Sequence, residues 1–217
     1  MPQGSICSPI LANIYAHYAL DDWFNKTVKK HCKGNVEIIR SADDAVICCE
    51  YAKDAERIRA VLPKRLSKFK LTLNKDKTKI IVFNRFEKEN SKSFDFLGFI
   101  FYLGLTKGGR VVPKLKSCGK KLRSKLTRVN IWCKGNRNTK PLLELWKSFC
   151  RKLRGHVQYY GISYNYKAVQ GFIFKSVKIF FKWINRRSQR KSMTFDKFKL
   201  FLSKFPPPKT IIYHRLF

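Results

Sequence analysis

Acidic side chains are almost missing from the second half of this sequence. Residues 96–217 hold 29 of the 47 Lys and Arg but only Glu144 and Asp196 as acids. Internal ion pairing cannot neutralise that half, and a formal net charge of +33 exceeds what solubility needs. The excess calls for a polyanion, and nucleic acid suits it, its phosphates taking up Lys and Arg as counterions are released. An anionic membrane suits it less, because the aromatics are spread over several segments and not gathered on one amphipathic helix. No Cys-x-x-Cys occurs among Cys7, Cys32, Cys48, Cys49, Cys118, Cys133 and Cys150, and the four His lack paired ligand spacing. That excludes a structural zinc site, and an odd, scattered cysteine count fits a reducing compartment better than a disulfide framework. No long uncharged apolar run offers a membrane span, and no targeting signal is seen, so a bacterial cytoplasm or an organelle is expected. Internal repeats and low-complexity segments are missing too. With 44% hydrophobic residues, 217 residues suffice for one domain or two small ones.

What is present centres on residues 36–50. Two β-rich runs, Val36–Ile39 and Val46–Cys49, flank a short break that carries Asp43 and Asp44. β-Branched residues suit a pleated surface and Asp suits a turn, so a β-hairpin is predicted. Adjacent carboxylates disfavour double ionisation unless a cation lies between them. Mg²⁺, which takes one or two carboxylates with water and substrate phosphates, would resolve the conflict; a solvated Asp-Asp turn is the plain alternative.

The remaining pattern is ordered around that hairpin. Ser8-Pro9 signals a helix start, and Leu11, Ile14, Tyr15, Tyr18 and Trp23 continue it into the late twenties. Asp21 and Asp22 read as its solvated end. A second helix is predicted over Ala52–Lys70, kinked or broken at Pro63. Short strands are predicted at Leu71–Leu73 and Thr78–Phe83, and a strand pair at Phe94–Leu103 that turns through Lys107-Gly108-Gly109 into Val111-Val112. Beyond Pro113 the pattern is helical, basic and aromatic: Lys114–Cys133, Pro141–Tyr160, Asn165–Arg187 and Thr194–Lys204. Trp132, Trp146 and Trp183 read as bundle core, as does one of Tyr159 and Tyr160. Lys120, Lys121, Arg123, Lys125 and Arg128 read as one basic face. Arg151, Lys152 and Arg154 read as a second, and Arg186, Arg187, Arg190 and Lys191 as a third.

Several of these segments together resemble group II intron-encoded reverse transcriptases. Pro2-Gln3-Gly4-Ser5 and Ser8-Pro9-Ile10-Leu11-Ala12-Asn13 resemble the motif that follows the fingers and first palm strand. Arg40-Ser41-Ala42-Asp43-Asp44 resembles the family's Tyr-Ala-Asp-Asp hairpin. Asn74 with Lys77-Thr78-Lys79 resembles the next palm motif, and Phe94-Asp95-Phe96-Leu97-Gly98-Phe99 the primer-grip hairpin. Leu153-Arg154-Gly155, Tyr159-Tyr160-Gly161, Phe205-Pro206-Pro207-Pro208-Lys209 and Ile212-Tyr213-His214 are similar to the maturase, or X, domain. The motifs come in family order along nearly the whole chain.

The resemblance implies an α+β fold. A partial polymerase palm, an antiparallel sheet with helices, would occupy residues 1–113, and an all-helical thumb/maturase domain residues 114–217. It implies Mg²⁺ (with Mn²⁺ as a substitute) on Asp43 and Asp44, and Lys77 at the triphosphate or the leaving pyrophosphate. Gln3 and Gly4 would meet nucleotide or template, where a residue without Cβ allows close approach. Phe96, Leu97 and Gly98 would grip the primer. Lys120, Lys121, Arg123, Arg151, Arg154, Arg186 and Arg187 would bind RNA. The implied partners are intron RNA, an RNA template with a DNA primer, deoxynucleoside triphosphates and an upstream polypeptide completing the palm.

Two departures bear on activity. The family's remaining metal ligand is an Asp on a palm strand upstream of the Pro-Gln-Gly motif, and no residue here matches it, so the chain reads as truncated and incomplete for catalysis alone. Ser41 stands where the family usually has an aromatic ring. A non-catalytic RNA-binding splicing cofactor with a degenerate palm therefore stays open beside the polymerase, as does a fragment without a stable fold.

Overall fold

The computed structural model describes residues 7–187 and 193–216. Compactness divides the chain into two units, one ending at Val82 and the other beginning at Phe83. Mixed helices and small antiparallel sheets make it an α+β protein, as the sequence predicts.

In the first unit, helix α1 spans residues 8–31. It starts regularly at Ser8–Ala16 with Pro9 in its first turn, then passes through two π-helical turns, His17–Asp21 and Phe24–Val28. A π turn widens the ladder and leaves carbonyls short of donors. Arg65 of helix α2 (Ala52–Ser67) supplies them: its Nε donates to the Ala19 carbonyl at 2.9 Å and an Nη to that of Tyr18 at 2.9 Å. Strands β1 (Val36–Ser41) and β2 (Asp44–Cys49) form an antiparallel hairpin whose inner face, Val36, Ile38, Ile47 and Cys49, packs with Phe24, Val28 and Ile58. Helix α2 continues through Pro63 to Ser67, so of the kink or break predicted there the break does not occur. The strands predicted at Leu71–Leu73 and Thr78–Phe83 do not form either. Their apolar residues find no ladder, and Ile80 and Val82 stay exposed.

Asp54, at the start of α2, is only 2% exposed. It accepts hydrogen bonds from the backbone N–H groups of Lys33 (3.0 Å) and Gly34 (3.1 Å) and so fixes the turn that leads into β1. Sequence reasoning passed over it because it sits in an otherwise solvated charge pattern.

In the second unit, β3 (Phe94–Phe96), β4 (Phe99–Leu105) and β5 (Val111–Ser117) form one antiparallel sheet in that order. The compositional change at Pro113 falls inside β5. Lys114–Ser117, predicted as the start of a helix, instead pair with β4. Pro113 is tolerated because β5 is an edge strand, where a missing N–H costs no ladder bond. Helices α3 (Gly119–Asn136), α4 (Leu142–Tyr160), α5 (Tyr166–Ile184) and α6 (Phe195–Lys204) follow. Their core is aromatic: Trp146, Phe149, Phe180 and Phe198 are almost fully buried, while Trp132 and Trp183 pack around it. The Trp146 indole donates to the Phe205 carbonyl at 3.0 Å, tying the approach to the proline run into the bundle. At Gly161 a side chain would collide with the carbonyl oxygens of Ile211 and Val157, so only glycine lets the closing segment lie this close.

Candidate functional site

The acidic hairpin is closed by two residues, Ala42 and Asp43, with Ser41 paired to Asp44. Ala42 has φ +51°, and a positive φ at the first central position alone is the feature of type II′ hairpins. The turn holds Asp43 at the tip and begins β2 with Asp44, and both acids are exposed. In the ladder Asp44 lies on the outer side of the hairpin with Ile39, Ser41 and Val46, opposite the packed face.

Arg40 anchors this tip. Its guanidinium donates to Asp21 in fork geometry (Nε to Oδ1 at 2.9 Å, Nη to Oδ2 at 2.7 Å), to Asn13 Oδ1 at 2.9 Å and to the Ala42 carbonyl at 3.0 Å. The bonds from Arg40 hold the Asp21 carboxyl below its usual range, against a desolvation effect of the opposite sign. Asp21 is therefore not the solvated helix end the sequence suggests. It is a half-buried brace, placed by a π turn, that fixes the hairpin through Arg40. Asp22 does lie outward, paired with Lys26 at 2.8 Å.

Two neighbouring exposed carboxylates fit the preference of Mg²⁺ for one or two carboxylates completed by water and phosphate. Among the described residues no cluster of three or more His, Cys, Asp or Glu is placed to hold a metal. The hairpin therefore offers a partial donor set, with Asp21 already engaged by Arg40.

Lys77 is exposed in a turn in which its backbone N–H donates to Asn74 Oδ1 at 3.1 Å. Among the described residues no ion pair or hydrogen bond joins it to Asp43 or Asp44. Gln3 and Gly4 lie outside the described residues, as do Arg190 and Lys191.

Phe96, Leu97 and Gly98 form a second tight turn. Phe96 pairs with Phe99, while Leu97 (φ +49°) and Gly98 (φ +86°) both lie in the left-handed region, the requirement of a type I′ hairpin. Leucine there is strained, and neighbours hold it in place. The Tyr159 hydroxyl donates to the Leu97 carbonyl at 2.8 Å, the Cys118 N–H donates to the Gly98 carbonyl at 3.0 Å, and a Cβ on Gly98 would come within 2.8 Å of the Tyr160 hydroxyl. The Tyr pair thus buries one ring, Tyr160, and leaves Tyr159 half exposed over the hairpin tip.

The cations of the helical unit do not fall into the faces predicted. On α3, Lys121, Lys125 and Arg128 recur four and three residues apart and share a stripe, whereas Arg123 falls on the opposite side and Lys120 on the flank between them. On α4, Arg151 and Arg154 lie away from Lys152. Arg186 stacks over the Trp183 ring, and the Arg187 guanidinium donates to the Lys140 carbonyl just past the end of α5. Lys125 is the perturbed one: burial, with Arg128 and Lys121 nearby, lowers its pKa. No described helix is long and apolar enough to cross a membrane, and all seven cysteines are free.

No curated protein and no solved structure matches the chain. Residues 1–101 match a family model. They take in the Asp43–Asp44 hairpin, Lys77 and the Phe96–Gly98 turn, and the family is described as reverse transcriptase (RNA-dependent DNA polymerase).

Proposed function

We propose that this chain is the palm end and the thumb/maturase region of a group II intron reverse transcriptase, which copies RNA into DNA from a primer and grips intron RNA during folding and splicing. The observation that supports the reading best is the type II′ hairpin carrying Asp43 and Asp44 within the segment similar to reverse transcriptases. Asp43 and Asp44 would hold Mg²⁺, whose chemistry when bound is to stabilise the attacking and leaving oxygens of an in-line displacement. Arg40, held by Asp21 of α1, ties down the turn beside the two acids through the Ala42 carbonyl. Lys77 is assigned to the triphosphate, and the Phe96–Gly98 turn, backed by Tyr159, to the primer strand. RNA is assigned to the cations of residues 96–217, which no acid in that half can balance.

A second reading has its own support. Asp21 is occupied by Arg40, no third acid joins the hairpin among the described residues, and Ser41 offers no ring to a primer end. On that reading the chain is a non-catalytic splicing cofactor. Primer extension on an RNA template and splicing of the intron, each run with wild type and Asp43→Ala, separate the two. Extension lost with splicing kept supports the polymerase. Splicing assistance that is indifferent to Asp43→Ala, with no extension by wild type, supports the cofactor. A chain that binds neither template–primer nor intron RNA sinks both.

A further inference from the structure

A cleft of about 400 Å³ opens between α3 and α4 in the helical unit, with Phe172 of α5 at its floor. Three cations, Lys125, Arg128 and Lys152, line it together with Trp132, His156 and Tyr159. None of the three cations has a carboxylate partner among the described residues. Two of them sit over rings instead: Lys125 Nζ is 4.1 Å from the Tyr160 ring centre and Lys152 Nζ is 5.5 Å from that of Trp132. Uncompensated charge, part of it desolvated, favours an anion in the cleft.

The cleft also asks for something other than charge. His156 is only 8% exposed, stacked on Phe172 with ring centres 3.7 Å apart, and its Nε2 is buried without a hydrogen-bond partner. A buried polar atom left unpaired costs free energy until a ligand satisfies it. Burial, aided by Lys125, pushes the His156 pKa down to about 3, so at neutral pH the ring is uncharged and presents one donor and one acceptor nitrogen, a set that matches a base edge. Trp132 and the half-exposed Tyr159 add aromatic surface. A planar heterocycle bearing phosphate answers every demand, and a cleft of this volume holds one such unit.

We infer that this cleft takes one unstacked nucleotide of a single-stranded RNA, its base beside Trp132 and His156 and its phosphates on Lys125, Arg128 and Lys152. This rests on the reading that the helical unit binds RNA, and it names where and in what form. A base inside a duplex cannot enter, so the site selects single strands and spares paired ones. Gly155 makes the cleft testable without damage to the core. It lines the cleft, and a Cβ built there meets nothing within 4 Å, so a side chain can start there from open space.

The test measures anisotropy of three labelled RNAs with the full chain at one salt concentration: a 12-nucleotide single strand, the same strand with abasic positions, and a blunt duplex. Gly155→Leu and His156→Phe are expected to weaken the intact strand about tenfold, the scale of one stacked base, and to leave the duplex within about twofold. The abasic strand is expected to bind wild type about as weakly as the intact strand binds Gly155→Leu. Quenching of tryptophan emission by the intact strand is expected to shrink in Trp132→Phe. Equal binding of intact and abasic strands, or equal losses on strand and duplex, overturns the cleft. Arg151→Ala/Arg154→Ala, on the other side of α4, is the separate control. If it lowers all three affinities while the cleft variants do nothing, RNA binding stands and the cleft fails. If no RNA binds wild type, the RNA reading itself fails.

Discussion

The two units handle positive charge in opposite ways. In the unit ending at Val82, cations meet carboxylates: Arg40 with Asp21, Lys29 with Glu37, Lys26 with Asp22 and Arg57 with Asp54. In the unit beginning at Phe83 the only ion pair among the described residues is Lys199 with Asp196, and cations lie over aromatic rings, as Lys125 does on Tyr160 and Arg137 and Arg186 do on Trp183. A ring softens a neighbouring charge but does not cancel it. The first unit, with 15 Lys and Arg against 9 acids, answers part of its positive charge internally, and the second stays open to whatever anion the surroundings provide.

Salt gives the largest effect and the most direct way to break this contrast. If the open cations carry RNA binding through six or more phosphate contacts, raising salt from 50 to 200 mM lowers affinity about a thousandfold. The log–log slope of affinity against salt checks it, and neutralising Lys120, Lys121 and Arg123 together flattens that slope by about three contacts' worth if each meets a phosphate. A nearly flat slope for wild type means the excess charge is not the contact surface.

Acid is the next lever, and it acts on the second unit through His156. Its pKa lies near 3 in the folded protein against an ordinary 6.5, because burial and the Lys125 charge oppose protonation. Between those values the unfolded chain binds the proton and the native state does not, so this contribution is complete above pH 6.5 and is lost as pH falls toward 3. The slope is up to about 1.4 kcal/mol per pH unit. Urea denaturation at pH 7 and pH 5 should show wild type losing about 2 kcal/mol more than His156→Phe. Equal losses mean that His156 is protonated in the native protein.

These effects trace to features that the sequence shows unevenly. The Asp43–Asp44 hairpin is legible because a short, Asp-bearing break separates two β-rich runs, and the bundle is legible because its apolar spacing is helical. The Asp21–Arg40 brace is not. It joins residues nineteen apart through a π turn that no residue pattern announces. Lys114–Ser117 misled because their pairing with β4 outweighs the helical look of the segment. His156 passes as a core histidine, and only the structure shows its unpartnered Nε2 and its place in the lining of a cleft shared with three cations.

Within the first unit the brace ranks next. Removing Arg40 leaves Asp21 half buried without its fork, and Arg40→Met is expected to cost about 2 kcal/mol by urea denaturation, discounted from a buried pair for the exposure that remains. It also frees the hairpin tip, so Asp43- and Asp44-dependent Mg²⁺ binding should weaken by more than the loss of one nearby positive charge would strengthen it. Calorimetric titration of Mg²⁺ into wild type and Arg40→Met reads the sign: tighter binding in the variant means that Arg40 competes with the metal and does not position its ligands.

The smallest effect tests whether the ion pairs of the first unit matter singly or only as a set. Lys29 and Glu37 lie 2.7 Å apart, but the Glu37 side chain is 68% exposed. Water and salt screen such a pair, and ordering two long side chains offsets most of its attraction. Glu37→Gln is therefore expected to cost no more than about 0.5 kcal/mol, and less at high salt. The Asp21–Arg40 brace in the same unit, with both side chains mostly covered, should keep its cost at high salt. If Glu37→Gln instead costs as much as Arg40→Met, ion pairing in this unit is a network property, and no single pair within it can be ranked by its burial.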